Sequence, residues 1–333
     1  MKKFFGMAHG QQASLYVLEN DTLSMAVTDY GATLVSLVDK KTGIDVVQGY
    51  ESAEEYVAQD VYTGATIGRT ANRIEKGEFS LNGTIYHLPI NNNGNCNHGG
   101  ISGFNDKMYS AREYGDRVEF NRISPDGEEG YPGNLWLTVT YKLLENGVEV
   151  QADAHCDKDT LFSFTNHSYF NLDQSENVLD HEVRLMSHRF ALSDANGLAL
   201  PVFKEVADTP FDFRSFKKLG RDIGQDDEQL RFGKGYDHYF AVDGEGMRLM
   251  TQCQGKQLCL FVYSDLPGFH LYTGNWLRGL SGKHGMRYPA YSAVCFEASY
   301  MPNAINYPDI EPKPILRKDT SVSCRIKWIL QAK

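Results

Sequence analysis

The sequence predicts an all-β protein, a large antiparallel β-sandwich, on three observations. Apolar and polar residues alternate with a period of two from one end of the 333-residue chain to the other, as in half-buried strands. Two Asn-Gly pairs stand beside such segments, and Asn-Gly is a strong hairpin signal. Long stretches of helical periodicity are hard to find.

The alternating segments have the length of single strands. In chain order they comprise residues 15–18, 24–28, 32–38, 79–81, 84–88, 135–141, 148–152, 258–263 and 292–297. Asn82-Gly83 and Asn146-Gly147 each stand between two of these segments, so we expect a hairpin at each pair.

Helical structure is expected only as short turns, at residues 213–219 and 225–230. No linker, low-complexity tract or repeat of fixed period interrupts the chain. We therefore expect residues 1–333 to form a single domain.

The charge balance limits the kinds of partner that the protein can bind. Lys and Arg total 33 against 43 for Asp and Glu, a net charge of −10. Because nucleic-acid binding needs a basic face, we expect no nucleic-acid partner. No stretch has the apolar length of a membrane span, and the apolar run near the N-terminus is too short for a signal peptide. We expect no membrane association and a cytoplasmic location.

The sequence also gives no sign of a metal or cofactor. None of the six cysteines lies in a CxxC pair, so we expect free, mostly buried thiols. The histidines are scattered singly, without HxH or HxxxH spacing. A P-loop, a GxGxxG after a strand and a nucleophile elbow are all missing. We therefore expect neither metal nor cofactor.

Four segments carry titratable side chains at positions where packing alone would favour apolar residues. They comprise residues 68–74, 95–100, 164–172 and 294–303. Glu297 is the most informative, because a Glu that ends an apolar strand is rarely buried unless it is paired or functional. A structural ion pair with Arg73 explains it equally well at this stage.

The histidines of these segments have structural explanations as well. If residues 164–172 form a strand, His167 shares a face with Tyr169, while Asn166 and Ser168 point the other way. His98 precedes two glycines, which let the backbone bend and a ligand approach. Asp237 adjoins His238, and on a strand only one of the two can face a pocket.

Taken together, these segments resemble the aldose 1-epimerase family, in consistent order from about Leu15 to about Trp328. Further landmarks are residues 124–133, 236–238 and 272–277. The resemblance implies a large β-sandwich often called a supersandwich. It also implies an isomerase that interconverts the α and β anomers of a free hexose by opening and reclosing its ring.

The resemblance assigns roles by position in these motifs. Glu297 matches the general base and His167 the general acid of ring opening. Positions that hydrogen-bond the sugar are matched by Asn72, Arg73, His98 and Asp237. Tyr169 is expected to present a flat face or a hydroxyl beside His167.

Two departures lie beside the implied sugar site. Where the family usually has Glu-Thr-Gln, Glu297 is followed by Ala298-Ser299-Tyr300, and His270 stands where the family tends to have Gln. His270 is therefore a further candidate for substrate binding, and the preferred sugar stays open.

Three other functions remain open on the sequence alone. One is hexose-6-phosphate 1-epimerase, with Arg69 and Arg73 clamping the phosphate. Another is a non-catalytic sugar-binding protein on the same fold, and the third is a metal-dependent sugar isomerase. The sequence does not indicate the oligomeric state.

Overall fold

The computed structural model describes all 333 residues. The first fourteen strands are β1 Lys2–Ala8, β2 Gln11–Glu19, β3 Leu23–Thr28, β4 Thr33–Asp39, β5 Thr66–Ile67, β6 Arg73–Ile74, β7 Glu78–Leu81, β8 Thr84–His87, β9 Cys96–Asn97, β10 Ser110–Tyr114, β11 Arg117–Ser124, β12 Leu135–Leu144, β13 Gly147–Cys156 and β14 Thr160–Leu161. The rest are β15 Thr165–Asn166, β16 Glu182–Leu185, β17 Arg189–Ser193, β18 Ala199–Glu205, β19 Lys217–Lys218, β20 Asp237–Ala241, β21 Arg248–Gln254, β22 Leu258–Ser264, β23 Gly268–Tyr272, β24 Leu280–Ser281, β25 Arg287–Tyr288, β26 Cys295–Ser299, β27 Ile315–Leu316 and β28 Ser321–Ala332.

Helices are few and short. The two α-helices are α1 Ala53–Val57 and α2 Glu228–Gly233. Single 3₁₀ turns occupy Glu75–Gly77, Phe104–Asp106, Glu128–Gly130, Leu219–Arg221, Lys283–Gly285 and Ala304–Asn306. None of these helices has the length and apolarity that crossing a membrane requires.

Three sheets organise the molecule. The largest has nine strands in the order β10-β11-β12-β13-β28-β22-β21-β16-β19. A five-stranded sheet follows the order β18-β17-β20-β23-β26, and β1 to β4 form a four-stranded meander. Neighbouring strands in all three sheets are antiparallel.

The main core draws side chains from all three sheets. It contains 57 buried residues, from Tyr16 to Leu330. Trp328 in the middle of β28 packs edge-on against Phe170, with ring centroids 5.4 Å apart, and Phe170 in turn contacts Phe296 of β26. The predicted all-β sandwich is confirmed. Because this core draws on nearly the whole chain, we propose that the protein is a single domain.

The two predicted hairpins form, and they differ in their turns. Leu81 pairs with Thr84, and both Asn82 and Gly83 have positive φ (52° and 78°), as a type I′ turn requires. In the second hairpin Leu144 pairs with Gly147, so the loop is Glu145-Asn146. Gly147 is the first residue of β13. A side chain at this position would collide with the carbonyl oxygen of Trp328, which explains the glycine.

Two expectations need correction. Residues 213–218 are not helical, since Lys217–Lys218 pairs with β16 as an edge strand, and only Leu219 enters a 3₁₀ turn. Helix α2 does overlap the second expected turn, 225–230. The strand predicted at 292–297 is β26, at Cys295–Ser299. Glu297 therefore stands in the middle of a fully buried strand rather than at its end.

Arg69 organises the loop that links β11 to β12. Its buried guanidinium makes six hydrogen bonds, to Ser124 (Oγ and backbone), to the carbonyl oxygens of Pro125, Pro132 and Gly133, and to Thr160 Oγ1. Burial lowers its pKa to about 10, so it stays charged at neutral pH. The guanidinium thus satisfies several buried oxygens of this loop at once.

We expect Arg69→Lys to lower the free energy of unfolding by about 3 kcal/mol or more, because one ammonium cannot replace the planar fork and leaves buried carbonyls unpaired. Urea or thermal denaturation measures the change. Exposed Arg112 offers a matched control, since Arg112→Lys should change stability by less than about 0.5 kcal/mol. Equal effects of the two substitutions would contradict this assignment.

Candidate active site

All eight side chains singled out from the sequence line one cavity of about 320 Å³. They are Asn72, Arg73, His98, His167, Tyr169, Asp237, His270 and Glu297. Six of them come from the four segments singled out in the sequence, and β20 and β23 supply the other two, Asp237 and His270. Most of these side chains are buried, so the cavity has a polar floor screened from solvent.

Three of the eight come from the face of the five-stranded sheet that points away from the main core. His270 of β23 lies directly opposite Glu297 of β26 and opposite Tyr239 of β20. Asp237 stands two residues before Tyr239 and therefore shares its face. Alternate residues of the same strands, such as Phe269 and Phe296, enter the main core. Neighbouring residues of these strands therefore point to opposite faces of the sheet, with catalytic candidates on one face and core residues on the other.

His238, the residue after Asp237, shows the same alternation between the two faces of the sheet. His238 points away from the cavity and packs against Phe211, with ring centroids 4.7 Å apart. Its Nε2 lies 3.2 Å from the side-chain oxygen of Gln229. Only one of the adjacent pair faces the pocket, as expected, and it is Asp237.

His167 arrives from an irregular segment, because only Thr165–Asn166 of the expected strand 164–172 is regular. The predicted sidedness nevertheless holds. His167 stacks on Tyr169, with ring centroids 5.0 Å apart, while Ser168 Oγ donates to Asn166 Oδ1 on the other side. The Tyr169 hydroxyl donates to the carbonyl of Val61, so Tyr169 offers the cavity its ring and not its hydroxyl.

His167 and Glu297 form the central pair of the floor. Nε2 of His167 lies 3.5 Å from Oε1 of Glu297, and both side chains are about 95 % buried. Arg73 makes no ion pair with Glu297; its Nε donates to Asn92 and its Nη1 to the carbonyl of Gly197. The structural explanation proposed for Glu297 is therefore wrong.

Burial sets the protonation of this pair. Desolvation raises the pKa of Glu297 well above 4.5, and the nearby Asp237 carboxylate raises it further. Desolvation lowers the pKa of His167 to about 4. Burial therefore favours the form of the pair in which Glu297 carries a proton and His167 is neutral.

Asp237 keeps its charge in the same cavity. Burial opposes the ionised form, yet the hydrogen bond to His270 Nε2, at 2.6 Å, brings the pKa of Asp237 below 3.8. Nδ1 of His270 faces the side-chain amide of Asn72 at 3.5 Å. His270 thus connects Asp237 to Asn72 across the floor.

The backbone at His98 is bent, for a different reason from the one expected. His98 and Gly99 both have positive φ (50° and 88°). A side chain at Gly99 would lie 1.9 Å from the carbonyl oxygen of Gly68, and one at Gly100 would meet Glu129. The glycines therefore allow two protein segments to approach each other rather than a ligand to approach the backbone.

His98, His167 and Glu297 bring potential metal ligands within 4.8 Å of one another. Wide spacing in the sequence was therefore a poor argument against a metal. The protonation state of His98 gives a better argument against a metal. Burial holds His98 neutral by lowering its pKa, and its Nδ1 accepts the Asn72 backbone N–H. The ring proton then sits on Nε2, so His98 presents a donor and no free lone pair.

Several lining residues were missed from the sequence. Tyr62 stacks near both His98 (4.6 Å) and His167 (5.9 Å), yet nothing in its neighbourhood distinguishes it from a surface turn. Tyr272 and Trp276 lie in segment 272–277, which had been noticed only as a landmark. Tyr272 stands two residues after His270 and therefore shares its face of β23, which is the signal that could have placed it at the site.

The fold and the cavity together define a β-sandwich protein with a polar, aromatic-lined small-molecule site. The family model described as aldose 1-epimerase matches residues 14–327. The chain belongs to the aldose 1-epimerase family.

Relatives match over nearly their full length. Galactose mutarotase from Homo sapiens is 38% identical over 314 residues, covering 91% of this chain and 90% of the relative. Aldose 1-epimerase from Haemophilus influenzae is 34% identical over 316 residues, covering 92% of each. The crystal structure of galactose 1-epimerase from Lactobacillus acidophilus superimposes with a TM-score of 0.89 at 28% identity, covering 100% of this chain and 98% of the other.

Stability should depend on pH with opposite signs at Glu297 and Asp237. Because the folded-state pKa of Glu297 is raised, its stabilising contribution is complete below about pH 4.5 and is lost as pH rises through the folded value. Gln cannot ionise, so the melting temperature of Glu297→Gln relative to the unmodified protein should rise between about pH 5 and about pH 9.

Asp237→Asn is the counterpart in the same cavity. Its lowered pKa means that the charged form stabilises the fold above pH 3.8 and that this contribution is lost in acid. Asp237→Asn should therefore lower the melting temperature at neutral pH, with a smaller difference in acid. Calorimetry across this pH range checks both variants. A falling relative melting temperature for Glu297→Gln would restore the ion-pair explanation.

Proposed function

We propose that this protein is an aldose 1-epimerase, a mutarotase that interconverts the α and β anomers of free hexoses. The observation that carries the proposal is the buried His167–Glu297 pair, 3.5 Å apart on the floor of a polar cavity. Relatives named galactose mutarotase and aldose 1-epimerase, similar over nine-tenths of the chain, support the same activity.

Ring opening requires one proton to leave and another to arrive. The proton of the anomeric hydroxyl must be removed while the ring oxygen O5 gains one, as the C1–O5 bond breaks and the aldehyde forms. Glu297 takes the first proton and His167 gives the second. Rotation about C1–C2 and reclosure, with the two roles exchanged, yields the other anomer.

The proton count of the pair suits this cycle. With one proton between them, the pair starts as imidazolium and carboxylate and ends as imidazole and carboxylic acid, so reclosure restores the start without exchange with solvent. Burial in the empty cavity favours the neutral form. The Asp237 charge raises the pKa of His167 and so helps the imidazolium form that donates to O5.

The remaining polar groups orient the sugar. His98 presents an Nε2–H donor, the Arg73 guanidinium offers further donors beyond its two protein bonds, and Asp237 provides a charged acceptor. Such a mixture matches hydroxyl groups, which donate and accept. The flat ring of Tyr169 supports the reacting His167 from one side.

The 6-phosphate alternative loses its main support. All the hydrogen-bonding capacity of Arg69 is directed at loop carbonyls and hydroxyls, so it cannot clamp a phosphate. Arg73 and the exposed Arg278 also line the cavity, but the charged Asp237 carboxylate would repel a dianion there. A non-catalytic sugar-binding role does not require an acid/base pair with complementary protonation.

We expect Glu297→Gln and His167→Asn each to lower kcat by roughly a hundredfold or more, because each removes one partner of a proton transfer. The double variant should be far less impaired than the product of the two losses, since both residues serve one transition state. Polarimetry of freshly dissolved α-D-glucose and α-D-galactose measures the rate above the spontaneous one. Retention of more than about a tenth of kcat by Glu297→Gln would refute the mechanism.

Free hexoses should exceed their 6-phosphates in kcat/KM, because Arg69 is fully engaged by the protein and the charged Asp237 carboxylate would repel the phosphate. Glucose and glucose 6-phosphate, compared in one buffer, provide the test. A strong preference for the phosphate would assign the protein to the sister activity instead.

A further inference from the structure

One strand holds the imidazole of His167 at both of its ring nitrogens. Oε1 of Glu297 lies 3.5 Å from Nε2, and Sγ of Cys295 lies 3.6 Å from Nδ1. Both partners belong to β26 and stand two residues apart, so they share one face of the strand. The proposed reaction uses Glu297 but gives Cys295 no part.

The thiol of Cys295 is a neutral hydrogen-bonding group. Packing beside Tyr169 and Tyr272 explains a small apolar side chain at this position, but not its contact with a ring nitrogen. Burial raises the pKa of the thiol well above 9, and the neighbouring Glu297 adds to this, so the sulfur keeps its proton. A neutral thiol is a weak donor and a weak acceptor, so it can pair with Nδ1 in either of its states.

The proton cycle of the reaction decides between these two states. Nε2 faces Glu297, so it is the nitrogen that gives a proton to O5 and takes it back on reclosure. Once Nε2 has lost its proton, the neutral imidazole carries its remaining proton on Nδ1. The other tautomer, with the proton on Nε2, has no lone pair there to take the proton back. The cycle therefore needs a group that accepts the N–H of Nδ1.

The neutral form of the pair favours the same tautomer. The O–H of a carboxylic acid is a stronger donor than an S–H, so the bare ring nitrogen belongs opposite Glu297 and not opposite Cys295. The ring N–H then points at Sγ of Cys295. The backbone carbonyl of His167 also interacts with its own ring and is a competing acceptor for this proton.

We propose that Cys295 is a positioning residue of the reaction: its sulfur accepts the Nδ1–H of His167 and keeps Nε2 free to exchange the catalytic proton. In many enzymes a carboxylate or a backbone carbonyl has this role. A carboxylate also stabilises the imidazolium, whereas a neutral sulfur holds the tautomer without adding charge. The inference rests on the proposed function, since it takes the proton cycle from the Glu297–His167 pair.

Nitrogen NMR of protein labelled at histidine measures the tautomer directly, because a bare and a protonated ring nitrogen differ in chemical shift. The signals missing from His167→Asn assign those of His167. Near neutral pH the unmodified protein should carry the proton on Nδ1. Cys295→Ala leaves a buried Nδ1–H without the sulfur, so the proton should move to Nε2, where Glu297 can accept it. Cys295→Ser restores an acceptor and should keep the proton on Nδ1.

The same two variants separate hydrogen bonding from packing in the kinetics, because Ser and Ala remove a similar volume and differ in one hydroxyl. Polarimetry with glucose should show kcat lowered roughly tenfold in Cys295→Ala, the scale of one hydrogen bond. KM should change by less than about twofold, since Cys295 is not among the residues that line the cavity. Cys295→Ser should keep roughly a third of kcat or more.

Cys253 offers the matched control. It is equally buried but lies in the main core, away from the cavity. There a serine would bury an unpaired hydroxyl, so Cys253→Ser should be less stable than Cys253→Ala. Both folded variants should keep the kcat of the unmodified protein.

The outcomes separate this inference from the proposed function. A proton on Nε2 in the unmodified protein would overturn the role of Cys295. An Nδ1–H that persists in Cys295→Ala would also overturn it and would assign the proton to the carbonyl of His167. Equal kcat in the Ser and Ala variants would contradict it as well. Absence of mutarotation by the unmodified protein would instead refute the function, while the tautomer would still be measurable.

Discussion

Desolvation of Glu297 is the constraint around which the site is arranged. This carboxyl group in the middle of a buried strand makes no ion pair with a lysine or arginine, and taking its charge out of water is expensive. The protein meets this cost by leaving the proton on the group and placing a neutral imidazole 3.5 Å away. The same cost makes Glu297 a strong base whenever it does ionise, which is the property that proton abstraction from a hydroxyl requires.

The antiparallel sheet makes this arrangement possible. Three neighbouring strands present Asp237, His270 and Glu297 on one face, while residues one position away pack into a core of 57 side chains. Backbone hydrogen bonds on both sides of β23 fix His270, and the pairing of β26 with β23 fixes Glu297 beside it, whereas His167 comes from an irregular segment. Loops then contribute the groups that contact the rest of the ligand.

Sequence reasoning reached the strands and the site because both depend on local patterns. Alternation identified β2 to β4, β12 and β13, and the Asn82-Gly83 turn identified a hairpin. The role of Glu297 could be suspected from a charge in an apolar run. Its contact with His167 could not be inferred from local patterns, because His167 lies 130 residues away and the contact is set by the tertiary fold. For the same reason spacing failed to reveal that His98 joins them, and Tyr62 carried no local signal.

The central place of β28 has a consequence for how the chain is made. This strand, Ser321–Ala332, lies between β13 and β22 and joins the two halves of the nine-stranded sheet. On the ribosome it is the last strand of that sheet to emerge, so the facing edges of β13 and β22 stay unpaired until β28 has been made. The large sheet cannot close before then, and a nascent chain stalled before Ser321 presents two edges suited to aggregation or to a holding chaperone.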